Sequence, residues 1–310
     1  MRGTVTRKAA AALAALALLT AGCAAEEQAA PSSGSGDSGG PIVVGAVEFT
    51  ENIILQEMYA LLVEDAGGEA ELKQPLASRE VLFPAVEEGD VNLVPEYTGA
   101  LTTFVTGEEA EAGADTDELV SGLRDALEPE GIKVLEPAPA QDQDALVVTP
   151  ETAEKYNLET VSDLAPVADE LTAGGPPEEK ERYVGLPGLE EVYGIEFADF
   201  RALDAGGPLT SNALESGQID VARFFSTQGI IDQKGWVVLE EDKPLIPTEN
   251  IIPVITEDVS TPEIETALND MSAELTTAEI TALNKQVDVD KEDPKDVAQA
   301  WLEEKGLIGN

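Results

Sequence analysis

The chain has no histidine and a single cysteine, Cys23, in 310 residues. Without imidazole it lacks the usual base that activates a serine or cysteine nucleophile, and the commonest transition-metal ligand. One cysteine allows no internal disulfide, and transition-metal sites and cofactors are not expected. Basic residues are scarce: 18 Lys and Arg stand against 62 Asp and Glu, a net charge of −44. Such a surface repels nucleic acid and anionic lipid, so neither is an expected partner. Aromatic residues make up only 5 % of the chain, and Trp236 and Trp301 read as core. Long apolar runs are missing too, apart from residues 9–19, which are too few to span a bilayer.

One motif must be weighed against these absences. Gly36-Asp37-Ser38-Gly39-Gly40-Pro41 resembles the segment around the nucleophilic serine of trypsin-like proteases. A serine hydroxyl needs a positioned base, and here there is no histidine and no domain ahead of Ser38 to carry one. The run is instead the distal end of a Gly/Ser-rich tether.

What precedes it explains the tether. Arg2, Arg7 and Lys8, the apolar run and Thr20-Ala21-Gly22-Cys23 make a secretory leader over residues 1–22. TAGC resembles a bacterial lipobox, which implies acylation of Cys23 and an anchor on the extracytoplasmic face of the cell membrane. Residues 23–41 would then be a flexible tether, and lipid the only membrane contact.

Beyond residue 42 there is enough chain for two domains. Apolar strand patterns at 42–47, 91–94, 132–135, 145–148 and 251–255 alternate with amphipathic helices, one capped by Thr50, others at 78–88 and 115–128. The end is helical, over about 262–274, 276–286 and 294–305. Two extended proline-bearing stretches, 136–142 and 244–250, bound a central block. The pattern predicts an α/β bilobed fold: lobe I from 42–140 and 250–310, and an inserted lobe II from 141–249, joined by two hinge strands.

An internal echo supports two similar lobes. Residues 85–92 (AVEEGDVN) match 213–220 (ALESGQID), each a helix stopped by glycine before a strand, and each strand reaches an aromatic, Tyr97 or Phe225, at the same distance past its glycine. In open α/β sheets ligands lie beyond strand carboxyl ends, so these rings would face each other across a cleft. Asp288–Asp293 is similar at its start to a calcium loop but has Asp293 where the glycine is needed, and reads as a solvated connection.

Val47-Glu48-Phe49-Thr50-Glu51-Asn52, Pro95-Glu96-Tyr97-Thr98-Gly99, Lys155-Tyr156-Asn157-Leu158 with Val161-Ser162-Asp163-Leu164, and Val287-Asp288-Val289 before Pro294 together resemble the glycine betaine/choline (osmoprotectant) substrate-binding proteins of ABC importers. The resemblance implies a periplasmic-binding-protein-like fold that closes on a small solute and delivers it to a permease and its ATPase, and no enzymatic activity. It implies a ligand site at Tyr97 and Phe225, with polar contacts from Asn52 and Thr98, in which aromatic rings hold a quaternary ammonium by cation–π attraction. The other two box positions align with Asp144 and Glu249, and Ala100 replaces a threonine that would contact a carboxylate. Two acids in place of two rings suit an amine or guanidinium, which can donate hydrogen bonds, better than a trimethylammonium. An extracellular enzyme using Asp144 and Glu249, or a receptor sensing a solute without a transporter, are the alternatives.

If Cys23 carries the lipid, the wild-type chain partitions with membranes, whereas Cys23→Ser leaves the membrane fraction or accumulates as precursor. A processed Cys23→Ser protein that stays on the membrane would show the anchor lies elsewhere.

Overall fold

A computed structural model describes residues 40–309. The leader, Cys23, Ser38 and all but the last two residues of the tether lie outside the described residues.

In chain order the main elements are β1 (Ile42–Val44), α1 (Thr50–Asp65), β2 (Ala70–Leu72), α2 (Arg79–Glu87), β3 (Leu93–Tyr97), α3 (Thr98–Thr106), α4 (Thr116–Leu127), β4 (Ile132–Val134), β5 (Asp144–Val148), α5 (Pro150–Tyr156), β6 (Thr172–Gly175) and α6 (Leu186–Gly188). There follow β7 (Asp199–Ala202), α7 (Pro208–Glu215), β8 (Val221–Phe225), α8 (Ile230–Lys234), β9 (Val237–Val238), β10 (Ile251–Thr256), α9 (Pro262–Glu274), α10 (Thr277–Asp288) and α11 (Pro294–Lys305). Among the described residues the strands form two five-stranded sheets, ordered β2-β1-β3-β10-β4 and β7-β6-β8-β5-β9. In each, three parallel strands are followed by one antiparallel partner, β10 against β3 and β5 against β8. The molecule is therefore a bilobed α/β fold.

The central strands are apolar on both sides because helices cover both faces. All of β10 and β3 is buried. One face of the first sheet packs on α1, with Ile54, Leu55, Met58, Tyr59 and Leu62 meeting Leu268, Met271, Leu283 and Trp301 from the C-terminal helices. The other packs Leu82, Phe83 and Val86 of α2 against Leu101, Leu123 and Leu127. Trp236 and Trp301 are both buried, as expected.

Several local expectations need correction. Thr50 does not cap α1: the cap residue is Phe49, with no side-chain bond, while Thr50 Oγ1 donates to Asp288 Oδ1 at 2.5 Å. The strand expected at 91–94 runs over Leu93–Tyr97, and helix α3 follows it at once. Its sequence, TGALTTFVT, is β-branched and reads poorly as helix. The threonines compensate by donating back one turn, Thr102 Oγ1 to Thr98 O at 2.7 Å and Thr106 Oγ1 to Thr102 O at 2.8 Å.

The internal echo extends to single hydrogen bonds. Gly89 and Gly217 both have positive φ, +76° and +69°, where other residues are strained. Val91 N donates to Ala85 O, and Ile219 N to Ala213 O. Asn92 N donates to Val43 O while Asn92 Oδ1 accepts from Val43 N at 3.0 Å; Asp220 N donates to Thr172 O while Asp220 Oδ2 accepts from Thr172 N at 2.9 Å. The two turns thus launch β3 and β8 identically, and Tyr97 and Phe225 end them.

The crossing segments pair with each other. Asp142 N donates to Glu249 O at 3.0 Å, Ile251 N to Ala140 O at 3.1 Å and Ala138 N to Ile251 O at 2.8 Å.

Replacing Asn92 by Ala removes the acceptor of Val43 N–H beside a buried strand. The expected loss is about 1–3 kcal/mol of unfolding free energy, read from urea melts; an unchanged midpoint would mean the turn is held by its backbone alone.

Candidate functional site

Between the lobes lies a cavity of about 100 Å³. Three aromatic side chains meet on it: Phe49 from the residue before α1, Tyr97 from the end of β3 and Phe225 from the end of β8. Phe49 lies 4.8 Å from Phe225 and 6.2 Å from Tyr97 between ring centroids, tilted by 36° and 33°. Rings from both lobes therefore touch, and the cleft is closed.

Phe49 was not among the expected site residues. An apolar aromatic at a helix cap position, where Ser, Thr, Asp or Asn is preferred, was the signal that could have revealed it. Tyr97 turns its hydroxyl away from the rings, donating to Glu51 Oε1 at 2.8 Å. Burial, with the charges of Glu51 and Asp142 beside it, raises that phenol well above its ordinary range.

Asp144, first residue of β5, pairs in register with Phe225, which sets its carboxylate beside that ring. No hydrogen-bond donor among the described residues reaches that carboxylate. Glu249 lines the cavity as well, but Oε2 accepts the N–H groups of Gly99 and Ala100, both at 3.1 Å. It sits at the N-terminus of α3, where backbone donors and the helix dipole favour an anion. Burial nevertheless pushes it up to about 8, against the pull of those bonds and of Arg79.

Asn52 borders the cavity, yet both ends of its amide are engaged: Oδ1 accepts from Val47 N at 2.7 Å and Nδ2 donates to Pro95 O at 3.3 Å. Thr98 is fully buried outside the cavity lining. Its hydroxyl donates to Thr248 O at 2.7 Å and accepts from Asn250 N at 3.0 Å, so it fastens α3 to a crossing segment.

Further charged groups unforeseen from sequence complete the walls. Arg79 binds Glu96 bidentately, at 2.7–3.0 Å, and Arg223 binds Glu179 at 2.9 Å. Burial lifts Glu179 to about 7 even so, with Arg223 opposing the shift. Asp142 accepts from Thr227 N at 3.1 Å and Ser226 Oγ at 3.3 Å. Arg182 of lobe II reaches Glu80 of lobe I at 2.8 Å across the lips. Burial of Glu80 is outweighed by its bonds from Ser78 and Arg182, which bring it down to about 2. Among the described residues, no group of three or more acidic or Cys side chains is arranged to hold a metal ion.

A paired lobe architecture with an aromatic, acid-lined cleft invites comparison with known proteins. The model of the substrate-binding domain of ABC-type glycine betaine transport systems matches residues 40–304. The chain belongs to that family. Within it, the carnitine transport binding protein OpuCC of Listeria monocytogenes is 31 % identical over 274 residues, covering 86 % of this chain and 88 % of the relative. A glycine-betaine-binding protein of Pseudomonas aeruginosa is 29 % identical with the same coverage of both chains. A crystal structure of a glycine betaine/carnitine/choline ABC transporter protein superposes with a TM-score of 0.68 at 28 % identity, over 86 % of this chain and all of the other. The protein is thus a substrate-binding component of an ABC importer, as the sequence motifs implied.

The tightest joint in the site is Gly99. A β-carbon there would lie 2.5 Å from Pro247 Cγ and 2.9 Å from Glu249 Oε1. Gly99→Ala must push the crossing segment off α3, and we expect a loss of roughly 1–3 kcal/mol in thermal or urea unfolding. Wild-type stability would mean that the segment yields freely.

Proposed function

We propose that this chain is a lipoprotein, anchored through Cys23 outside the cytoplasmic membrane, that captures a small cation carrying N–H donors and hands it to a permease driven by an ATPase. The observation that carries this reading is Asp144: a cavity-lining carboxylate with no donor among the described residues, on the same cavity as the rings of Phe49, Tyr97 and Phe225. The rings offer their faces to any cation. Asp144 adds a hydrogen-bond acceptor that a trimethylammonium cannot use and an amine or guanidinium can. Glu249 fills the donors of the α3 N-terminus, where a ligand carboxylate would otherwise be received, and Ala100 supplies no hydroxyl. A zwitterion such as glycine betaine therefore meets acids at both ends.

Calorimetry with glycine betaine, choline, a primary alkylamine and an alkylguanidinium tests this. The donor-bearing cations should bind most tightly and betaine least. Tyr97→Ala should weaken the cations by about 1–2 kcal/mol, the size of a desolvated cation–π contact. Asp144→Asn should cost the amine about 1.5–3 kcal/mol and choline less. Tight betaine binding that Asp144→Asn leaves unchanged would overturn the reading.

A further inference from the structure

Beside the aromatic cluster lies a second group of polar side chains that joins the lobes; of its two acids, Asp142 borders the cavity and Glu51 does not. Glu51 on α1 is 2 % exposed, Asn284 on α10 is 1 %, and Thr227 of lobe II is fully buried. Thr227 Oγ1 donates to Glu51 Oε2 at 2.5 Å, and Asn284 Nδ2 donates to the same oxygen at 2.8 Å. Asn284 Nδ2 also lies 3.1 Å from Thr227 Oγ1 and 3.3 Å from Thr227 O. The other carboxyl oxygen accepts from the Tyr97 hydroxyl, and Thr227 N donates to Asp142. One threonine of lobe II thus sits between two buried carboxyls of lobe I and the crossing segment.

We propose that Glu51 is a positioning residue coupling the Tyr97 ring to closure of the cleft, and that the closed cleft holds one proton shared between Glu51 and Asp142.

The groups facing this pair leave no other source of compensation. From β3 comes the neutral Tyr97 phenol, while neighbouring Glu96 is already paired with Arg79. From α10 come Asn284, Lys285, whose stem packs on Gly229, and Asp288, which is bonded to Thr50. From the loop after β8 come only Ser226 and Thr227, and beyond Asp142 stands a third acid, Asp144. Among the described residues, no lysine or arginine donates to either carboxyl. Two carboxylates held out of water with no cationic partner cost several kcal/mol, and a proton from solvent removes one of the charges. Thr227 bridges Glu51 and Asp142, its hydroxyl on one and its N–H on the other, and burial raises both, so they titrate as a pair.

Opening parts Thr227 from Glu51 and admits water, which returns both acids towards the ordinary carboxylate range. The closed form then binds one more proton than the open form. A carboxyl raised by closure favours closure below its raised value and loses that contribution as the pH climbs through it. In that window the closed-to-open ratio changes by up to about tenfold per pH unit. Glu249 and Glu179 titrate in the same cleft and form a background that a change at Glu51 leaves in place.

The test needs no ligand, so its outcome is independent of the cation reading above. Val81 on α2 and Leu209 on α7 are 52 % and 62 % exposed and stand on opposite lobes, each eight residues before the glycine of its turn. Donor and acceptor dyes on Val81→Cys and Leu209→Cys, in the full chain carrying Cys23→Ser, report the gap by energy transfer. Transfer should rise as pH falls from 8 to 5. Glu51→Gln, whose amide imitates the protonated acid, should give high transfer with that rise flattened, and Asp142→Asn should flatten it as well. A flat wild-type profile, or one that persists unchanged in either variant, overturns the proposal.

Discussion

The cost of holding carboxylates out of water organises the cleft. Each acid in it meets that cost differently. Glu96 and Glu179 are bound by arginines. Glu249 takes two backbone N–H groups at the start of α3. Glu51 and Asp142 lean on hydroxyl, amide and backbone donors, with a shared proton under the proposal made above. Asp144, beside the aromatic rings, is left with no hydrogen-bond donor among the described residues, and a molecule suited to that vacancy is a cation. The selectivity argued here is therefore an outcome of where the fold runs out of donors.

Aromatic contact and electrostatics act together at this point. Phe49 and Phe225 come from different lobes and stack at 4.8 Å, so the surface offered to a cation exists only when the lobes meet. Tyr97 belongs to the same cluster, yet its hydroxyl is spent inward on Glu51. The hydroxyl of that ring is held by Glu51, a residue outside the cavity lining. Closure, ring orientation and the charge state of the deeper carboxyls are consequently parts of one arrangement.

Much of the scaffold was legible in the sequence because it rests on short-range signals. Glycine-terminated helices, apolar strand runs and the repeated turn at 89 and 217 fix the lobes, and a ring eight residues past each glycine lands on the cleft. Helix α3 was not legible, since its threonines are poor helix formers until their hydroxyls find the preceding turn. Phe49 escaped because its role depends on which neighbour crosses from the other lobe. Thr98 and Glu249 show the same limit: the family resemblance placed both at the ligand, and the structure sets Glu249 on the cavity but Thr98 outside it, with directions fixed by long-range bonds to Thr248, Asn250, Gly99 and Ala100.

The fastening of the crossing segment has a mechanical consequence. Residues 248–250 are tied to lobe I through Thr98, Gly99, Ala114, Thr116 and Ala138. On the other side, Leu245 and Ile246 give their N–H groups to Glu241, and Gln143 exchanges bonds with Ser226, all within lobe II. Between the two sets of ties lies Pro247 on one strand, whose carbonyl accepts from Gln143 Nε2 at 3.5 Å, while on the other strand Asp142 holds both sides, its N–H bonded to Glu249 and its carboxylate to Thr227 and Ser226. If the lobes rotate, these ties favour an axis at the lobe II end of the crossing strands. The stretch there is short and partly stiffened by the proline ring, which would confine a rotation of lobe II to a narrow line. A small angular change there would move the Phe225 ring and Thr227 away from Phe49 and Glu51 together.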